Sequence, residues 1–219
     1  MIEPHSQANE LDSDSARLFE TIANDLYQTG YSIQANALPA ELARQLASEA
    51  CQMPLSSFKK AGVGRGQQLV VNSAIRSDAI CWMTGDTAAS KGWLVWAASL
   101  QEFLNKRLLL GLFSFESHFA HYAPGDFYKK HQDAFKGEAN RVLSLVAYLN
   151  PDWAQEDGGE LVLYSEDGKP DGIKVTPSLG TLVVFLSEDF PHEVLAAQRD
   201  RFSIAGWFRV NANGPDQRN

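Results

Sequence analysis

The chain has 219 residues, enough for one large domain or two small ones, and is 44% hydrophobic and 21% charged. That balance fits a globular protein with a substantial core. A formal charge of −8 and a pI near 5.1 argue against nucleic acid or an anionic membrane as a default partner. Two cysteines, Cys51 and Cys81, make no disulfide framework in a chain of this size and are expected as free buried thiols. No secretory leader and no bilayer-length apolar run is visible, so a cytoplasmic protein is expected.

In chain order, residues 1–12 are polar and read as a tail. Asp12-Ser13-Asp14 offers capping side chains before a helix with Leu18, Phe19, Ile22, Leu26 and Tyr27 on its apolar stripe, and Gly30 stops it. Tyr31–Ile33 reads as a short strand. Pro39 opens a second helix carrying Leu42, Ala43, Leu46, Ala47 and Ala50 on one face. Ala61 to Gln68 is glycine-rich and basic. Its spacing is not that of a phosphate loop, so it reads as a hairpin near a substrate, with Leu69–Val71 a candidate strand. Arg76–Trp82 reads as another strand. A long helix follows from about Ala88 to Leu110, in which Trp93, Trp96, Ala97, Leu100, Phe103, Leu104 and Leu108 recur at helical spacing and read as packing residues.

From Phe113 the pattern changes to short strands divided by turns. Strands are predicted at Phe115–Tyr122, Tyr128–His131, Val142–Leu149, Glu160–Tyr164, Gly172–Val175, Thr181–Leu186, Glu193–Ala196 and Phe202–Val210. Turns are predicted at Pro124-Gly125-Asp126, Asp157-Gly158-Gly159, Glu166-Asp167-Gly168 and Pro177-Ser178. The expected fold is α+β: a double-stranded β-helix (jelly-roll) core of about eight strands, buttressed by N-terminal helices. One domain is expected over 1–219, with 13–112 as helical support plus the hairpin, 113–210 as the core and 211–219 as a tail.

Tyr122-Ala-Pro-Gly-Asp-Phe-Tyr128-Lys-Lys-His131-Gln-Asp133 is the stretch that carries chemistry. Residues two apart on a strand share a face, so His131 and Asp133 would present an imidazole and a carboxylate together. His192, from a distant strand, would complete two nitrogens and one oxygen, the donor set of non-haem Fe(II) oxygenases. His118 and His121 are a rival pair, but their odd separation in a strand sends them to opposite faces. His5 lies in the tail.

Arg201 follows His192 by nine residues, and Val194–Arg201 fits a hairpin that would return Arg201 beside His192. On the last strand Arg201, Ser203, Ala205 and Trp207 share one face. An arginine fork with a nearby hydroxyl can hold a carboxylate, which suits a dicarboxylic 2-oxo acid whose other end meets the metal.

With these residues in view, the chain resembles the Fe(II)- and 2-oxoglutarate-dependent dioxygenases of the prolyl 4-hydroxylase family, and in particular their oxygen-sensing, hypoxia-factor branch. The resemblance spans about residues 60 to 210. It rests on Tyr122-x-Pro-Gly, Tyr128, His131-x-Asp133, Arg141, Tyr148-Leu149-Asn150, Trp153, Gly158-Gly159-x-Leu161, Pro191-His192-Glu193-Val194 and Arg201-x-Ser203-x-x-x-Trp207.

The resemblance implies that His131, Asp133 and His192 bind Fe(II), and that Arg201 with Tyr148 binds the distal carboxylate of 2-oxoglutarate, with Tyr128 and Ser203 nearby. It also implies a peptide groove near Arg76, Asp78, Trp82, Tyr122, Arg141 and Trp207. The implied reaction consumes O2 and 2-oxoglutarate, releases succinate and CO2, and hydroxylates a prolyl residue at its 4-position, with ascorbate a candidate reductant. The implied partner is a protein presenting a proline in a loop, with translation machinery a candidate class. The presence of Asp133 points to hydroxylation, because related halogenases lack the carboxylate. Two other readings stay open. One is hydroxylation of a free amino acid or other small molecule. The other is a cupin-like metal-binding module, although such modules draw a His-x-His pair and a glutamate into the site. Nucleic-acid demethylation is disfavoured, since Trp207 stands where the repair-type relatives carry a second arginine.

Overall fold

The apolar stripes of the first half become three helices against one face of a sheet. In the computed structural model, which describes residues 13–62, 72–134, 140–165 and 171–210, α1 spans Ser13–Thr29 and buries Phe19, Ile22, Ala23 and Leu26. Tyr27 departs from expectation. It sits at the rim of the stripe, four residues after Ala23, and is 82% exposed. Gly30 ends the helix with φ +79°, where a Cβ would also stand 2.9 Å from the Phe190 ring. Helix α2, Ala40–Gln52, follows Pro39 and buries Ala43, Leu46, Ala47 and Ala50.

Helix α3, Ala88–Leu108, begins at a capping box between Thr87 and Ser90 and buries Trp93, Trp96, Ala97, Leu100 and Leu104. It stops two residues earlier than expected. Leu109 takes a left-handed φ of 56° and turns to solvent, so the apolar run overstates the helix. Cys51 and Cys81 are free, but neither is buried as expected: Cys51 is exposed, because it follows Ala50 off the packed face of α2, and Cys81 is half-buried.

Eleven strands are described: β1 Tyr31–Gln34, β2 Lys59–Lys60, β3 Ala79–Trp82, β4 Ser114–Tyr122, β5 Tyr128–His131, β6 Arg141–Tyr148, β7 Leu161–Leu163, β8 Ile173–Val175, β9 Leu182–Leu186, β10 His192–Val194 and β11 Arg201–Arg209. They form a seven-stranded sheet ordered β1-β9-β6-β11-β4-β3-β2 and a four-stranded sheet ordered β5-β10-β7-β8. From β4 to β11 the chain passes back and forth between the two sheets, which gives the expected jelly roll. Strands β1, β2 and β3 come from the N-terminal half and extend the larger sheet at both edges beyond the eight core strands; β1 and β3 fall where short strands were expected, whereas β2 was not foreseen. The Leu69–Val71 strand, most of the glycine-rich hairpin and the Glu166–Gly168 turn lie outside the described residues.

Strand alternation sorts the larger sheet into two faces. Phe119, Leu143, Leu145, Ala147, Leu182, Val184, Ile204 and Phe208 pack with the three helices. On the other face Ala120, Tyr122, Tyr148, Val183 and Phe185 meet Leu161, Leu163, Val175 and Val194 of the smaller sheet. His118 and His121 fall on opposite faces, as their spacing requires. His118 lies on the inner face against Trp82 and Trp207, while His121 stacks on Phe202 and meets Asp200.

Two expected placements are overturned. Strands β10 and β11 do not form a hairpin: Leu195 to Asp200 carries the chain from the smaller sheet to the larger one. Arg201 therefore pairs with Tyr122 across β4, and His192 pairs with His131 across β5. Asp133 is also not on a strand. β5 ends at His131, and Asp133 sits in the bend that follows.

Candidate metal and 2-oxo acid site

The antiparallel register of β5 with β10 sets His131 directly opposite His192. Their ring centroids are 4.2 Å apart. The bend after β5 then swings Asp133 toward both, with its two carboxylate oxygens each 3.7 Å from a histidine Nε2. One donor atom from each of the three lies within 4.8 Å of the others.

Backbone carbonyls orient the imidazoles. His131 Nδ1 is 2.8 Å from the Lys129 carbonyl, and His192 Nδ1 is 3.0 Å from that of Phe190. In each ring Nδ1 can donate to its carbonyl, leaving the Nε2 lone pair to face the common centre. Burial, with His192 beside it, pushes the His131 pKa down to about 3, favouring the neutral, ligating form. Burial opposes ionisation of Asp133, but His192, His131, Ser144 and Trp207 outweigh it and hold the carboxyl at about 2. Ser144 Oγ donates to Asp133 Oδ2 at 2.7 Å, and Ser187 Oγ is 2.9 Å from Ser144 Oγ. Two imidazole nitrogens and one carboxylate suit a divalent transition metal and leave positions open for other ligands.

A second polar centre lies on the larger sheet. Arg201 is 1% exposed at the start of β11. Its Nε donates to the Gly159 carbonyl at 2.8 Å and its Nη1 to Ser203 Oγ at 3.3 Å. Tyr122 and Tyr148 flank its guanidinium, with ring centroids 4.8 and 5.2 Å from Cζ. No carboxylate among the described residues forms an ion pair with it. The Tyr148 hydroxyl is buried beside Arg201 with no partner at full hydrogen-bond geometry, and burial pushes its pKa up to about 12 against the pull of the guanidinium. A buried cation beside an unmet hydroxyl fits an incoming carboxylate.

The remaining sequence-predicted residues surround these two centres. Tyr128 stacks on His131 at 3.5 Å and 13°, and Arg76 Cζ lies 4.2 Å from the centroid of the Tyr128 ring. Arg76 is itself held by Asp78, which is fully buried, through contacts of 2.7 and 2.6 Å. Trp82 is 39% exposed near Trp207, and the Arg141 guanidinium lies 3.7 Å above the Trp207 ring.

A protein-family model described as the 2OG-Fe(II) oxygenase superfamily matches residues 117–209. The crystal structure of a Pseudomonas putida prolyl-4-hydroxylase is 41% identical, covers 88% of this chain and 99% of its own, and superposes with a TM-score of 0.81. The chain belongs to the 2OG-Fe(II) oxygenase superfamily.

A Trichoplax adhaerens prolyl hydroxylase, solved with a hypoxia inducible factor peptide fragment, is 27% identical with a TM-score of 0.81, covering 92% of this chain and 94% of that one. Among curated relatives, a Xenopus laevis prolyl 3-hydroxylase is 35% identical over 97 residues, 41% of this chain and 18% of its own. Human Egl nine homolog 1 is 35% identical over 86 residues, 38% of this chain and 20% of its own. The chain thus spans a small part of the length of these curated relatives. As a member of the superfamily, it is an Fe(II)- and 2-oxoglutarate-dependent oxygenase, and the relatives it matches are named prolyl hydroxylases. That sets aside the cupin-like, non-enzymatic reading. No described helix is long and apolar enough to cross a membrane.

Three features escaped the sequence reading. Ser144, which holds Asp133, shares a strand face with Tyr148 by its even spacing and was detectable in that way. Glu116 accepts from Arg141 at 2.9 Å and from Arg209 at 3.1 Å, a pairing across strands that no local pattern signals. His118 was set aside as a metal ligand and given no other place.

Proposed function

We propose that this oxygenase hydroxylates a prolyl residue of a protein substrate at its 4-position, with His131, Asp133 and His192 holding Fe(II) and Arg201 anchoring 2-oxoglutarate. The observation that carries the reading is the pairing of a three-donor cluster with a buried arginine that meets no carboxylate among the described residues. One polar centre suits a metal and the other suits the far carboxylate of a dicarboxylic acid.

In this reading Arg201 forms a charge-assisted fork with that carboxylate, and the Tyr148 hydroxyl supplies a further donor. The Gly159 carbonyl and Ser203 fix the guanidinium, so little ordering remains to be done on binding. The carbonyls of Lys129 and Phe190 hold each imidazole in the ligating tautomer, and Ser144 restrains Asp133. Tyr128 covers one face of His131 and limits water there. Bound Fe(II) supplies the oxidative chemistry in which O2 gives one oxygen atom to succinate, as CO2 leaves 2-oxoglutarate, and the other to a C–H bond. Arg76, Trp82, Arg141 and Trp207 would line the approach of the peptide, while buried Asp78 holds Arg76 in place and buried Tyr122 belongs to the wall around Arg201. Support for a protein substrate comes from the 41% identical prolyl-4-hydroxylase and from the peptide-bound Trichoplax structure. A proline-bearing loop of the translation machinery is one candidate target.

Mass spectrometry tests the reading. A cell extract treated with the enzyme, Fe(II), 2-oxoglutarate and ascorbate should gain one oxygen on specific prolines, and an extract treated with His131→Ala should not. Comparison with 3- and 4-hydroxyproline standards assigns the position. Turnover of 2-oxoglutarate driven by free amino acids, with no modified protein, would replace this reading with the small-molecule one.

A further inference from the structure

Among the described residues, six buried polar side-chain atoms have no hydrogen-bond partner, and they include Tyr148 Oη, Trp207 Nε1 and His118 Nδ1, all around the site. An anchored carboxylate accounts for the first, and Trp207 acts on Asp133. Nothing in the proposed reaction yet uses His118.

His118 precedes Tyr122 by four residues on β4, so its side chain shares the inner face. It lies opposite Ala205 on β11 and Trp82 on β3. Its ring meets Trp82 edge-on at 5.0 Å and Trp207 at 5.5 Å, and it is 3% exposed. Burial first, then the charges of Arg76 and Arg141, push its pKa down to about 3 against the pull of Asp133. The imidazole is therefore neutral, with one N–H and one lone pair.

Filling a slot between two indoles needs no polar atoms. A phenylalanine or leucine would do so without the cost of a buried polar group left unmet. A ligand that supplies the partner removes that cost. Under the prolyl-peptide reading, on which this inference rests, Trp82, 39% exposed, and Trp207 beside it line the approach of the peptide backbone around the target proline. Proline carries no N–H of its own, so the first backbone donor on its C-terminal side belongs to the next residue.

We propose that His118 is a substrate-contacting, specificity-determining residue that accepts a hydrogen bond from the backbone N–H following the target proline, in the slot between Trp82 and Trp207. A phenylalanine in its place keeps the ring contacts and loses the acceptor, whereas a glutamine keeps an acceptor.

The test uses the full chain with Fe(II) and 2-oxoglutarate on two degenerate pools of end-blocked pentapeptides with a central proline. In the second pool the residue after proline is N-methylated. Hydroxyproline formation is read by mass spectrometry as the ratio of rates on the two pools. That ratio within one variant does not depend on how much enzyme is folded. Wild type should prefer the unmethylated pool by about tenfold, the scale of one hydrogen bond. His118→Phe should lose that preference, with His118→Met as the alternative if the phenylalanine variant does not accumulate, and His118→Gln should keep most of it. A preference undiminished in His118→Phe or His118→Met overturns the inference alone, as does its complete loss in His118→Gln. Absence of hydroxyproline from wild-type reactions with both pools and from treated cell extract removes the prolyl-peptide reading, and this inference with it.

Discussion

The Gly159 carbonyl accepts from Arg201 Nε at 2.8 Å, and a Cβ on Gly159 would stand 3.0 Å from Arg201 Cδ. The glycine also has φ +69°, and its added Cβ would meet the Ala197 Cβ at 3.0 Å. Gly159→Ala should therefore displace Arg201 and strain the backbone together. The expected result is a 2-oxoglutarate KM raised by about tenfold, with the melting temperature lower by a few degrees, about 1–2 kcal/mol of strain. Steady-state kinetics against 2-oxoglutarate decides the matter, and an unchanged KM would detach Arg201 from the cosubstrate.

Arg201→Ala should be more severe. It removes the guanidinium fork beside the Tyr148 hydroxyl, and the loss of a charge-assisted hydrogen bond corresponds to about 1.5–3 kcal/mol, or roughly ten- to hundredfold in KM. Arg201→Lys should recover only part of this, because an ammonium cannot form the bidentate pair. Titration with 2-oxoglutarate at fixed Fe(II) separates the variants.

Ser144→Ala removes the 2.7 Å hydrogen bond to Asp133 while leaving all three candidate ligands in the sequence. Loss of such a supporting contact typically weakens metal affinity or activity by about 10–100-fold. Activity measured against Fe(II) concentration should show a raised metal requirement, and an unaltered one would show that Asp133 needs no support from β6.

Zn2+ or Co2+ should raise the melting temperature of the wild-type chain and compete with Fe(II) for activity. At a hundredfold excess over Kd, binding to the folded state alone adds about 2.7 kcal/mol. His131→Ala, Asp133→Ala and His192→Ala should each lose most of that shift. Thermal melts with and without metal provide the comparison, and a full shift in all three variants would move the metal elsewhere.

Arg76 and Asp78 form a pair in which the Asp78 side chain is wholly buried and that of Arg76 is 13% exposed. Removing one partner strands the other charge, so Arg76→Leu should cost about 3–5 kcal/mol in urea unfolding. The double change to Leu at both positions should recover much of this, since neither charge is then left alone. Equal losses in the single and double variants would contradict a buried pair.

The local sequence was sufficient for most elements. Leu46 and Ala50, or Trp93, Trp96 and Leu100, repeat at the helical period, and Phe119, Ile204 and Phe208 alternate with polar or site-facing neighbours at the strand period. His131, Asp133, His192 and Arg201 were also visible, because few other residues combine those donor types at such spacing.

What the chain could not reveal locally was which strands meet. A hairpin and a crossing between sheets look alike over Val194–Arg201, so only the fold decided that His192 stands beside His131 and Arg201 beside Tyr122. The bend at Asp133, the grip of Ser144 and the enclosure of His118 by Trp82 and Trp207 likewise depend on side chains brought together from distant strands. Sequence periodicity records which face a residue turns inward. The partner it meets there is set by sheet register and by the passage of the chain between layers, which are tertiary properties.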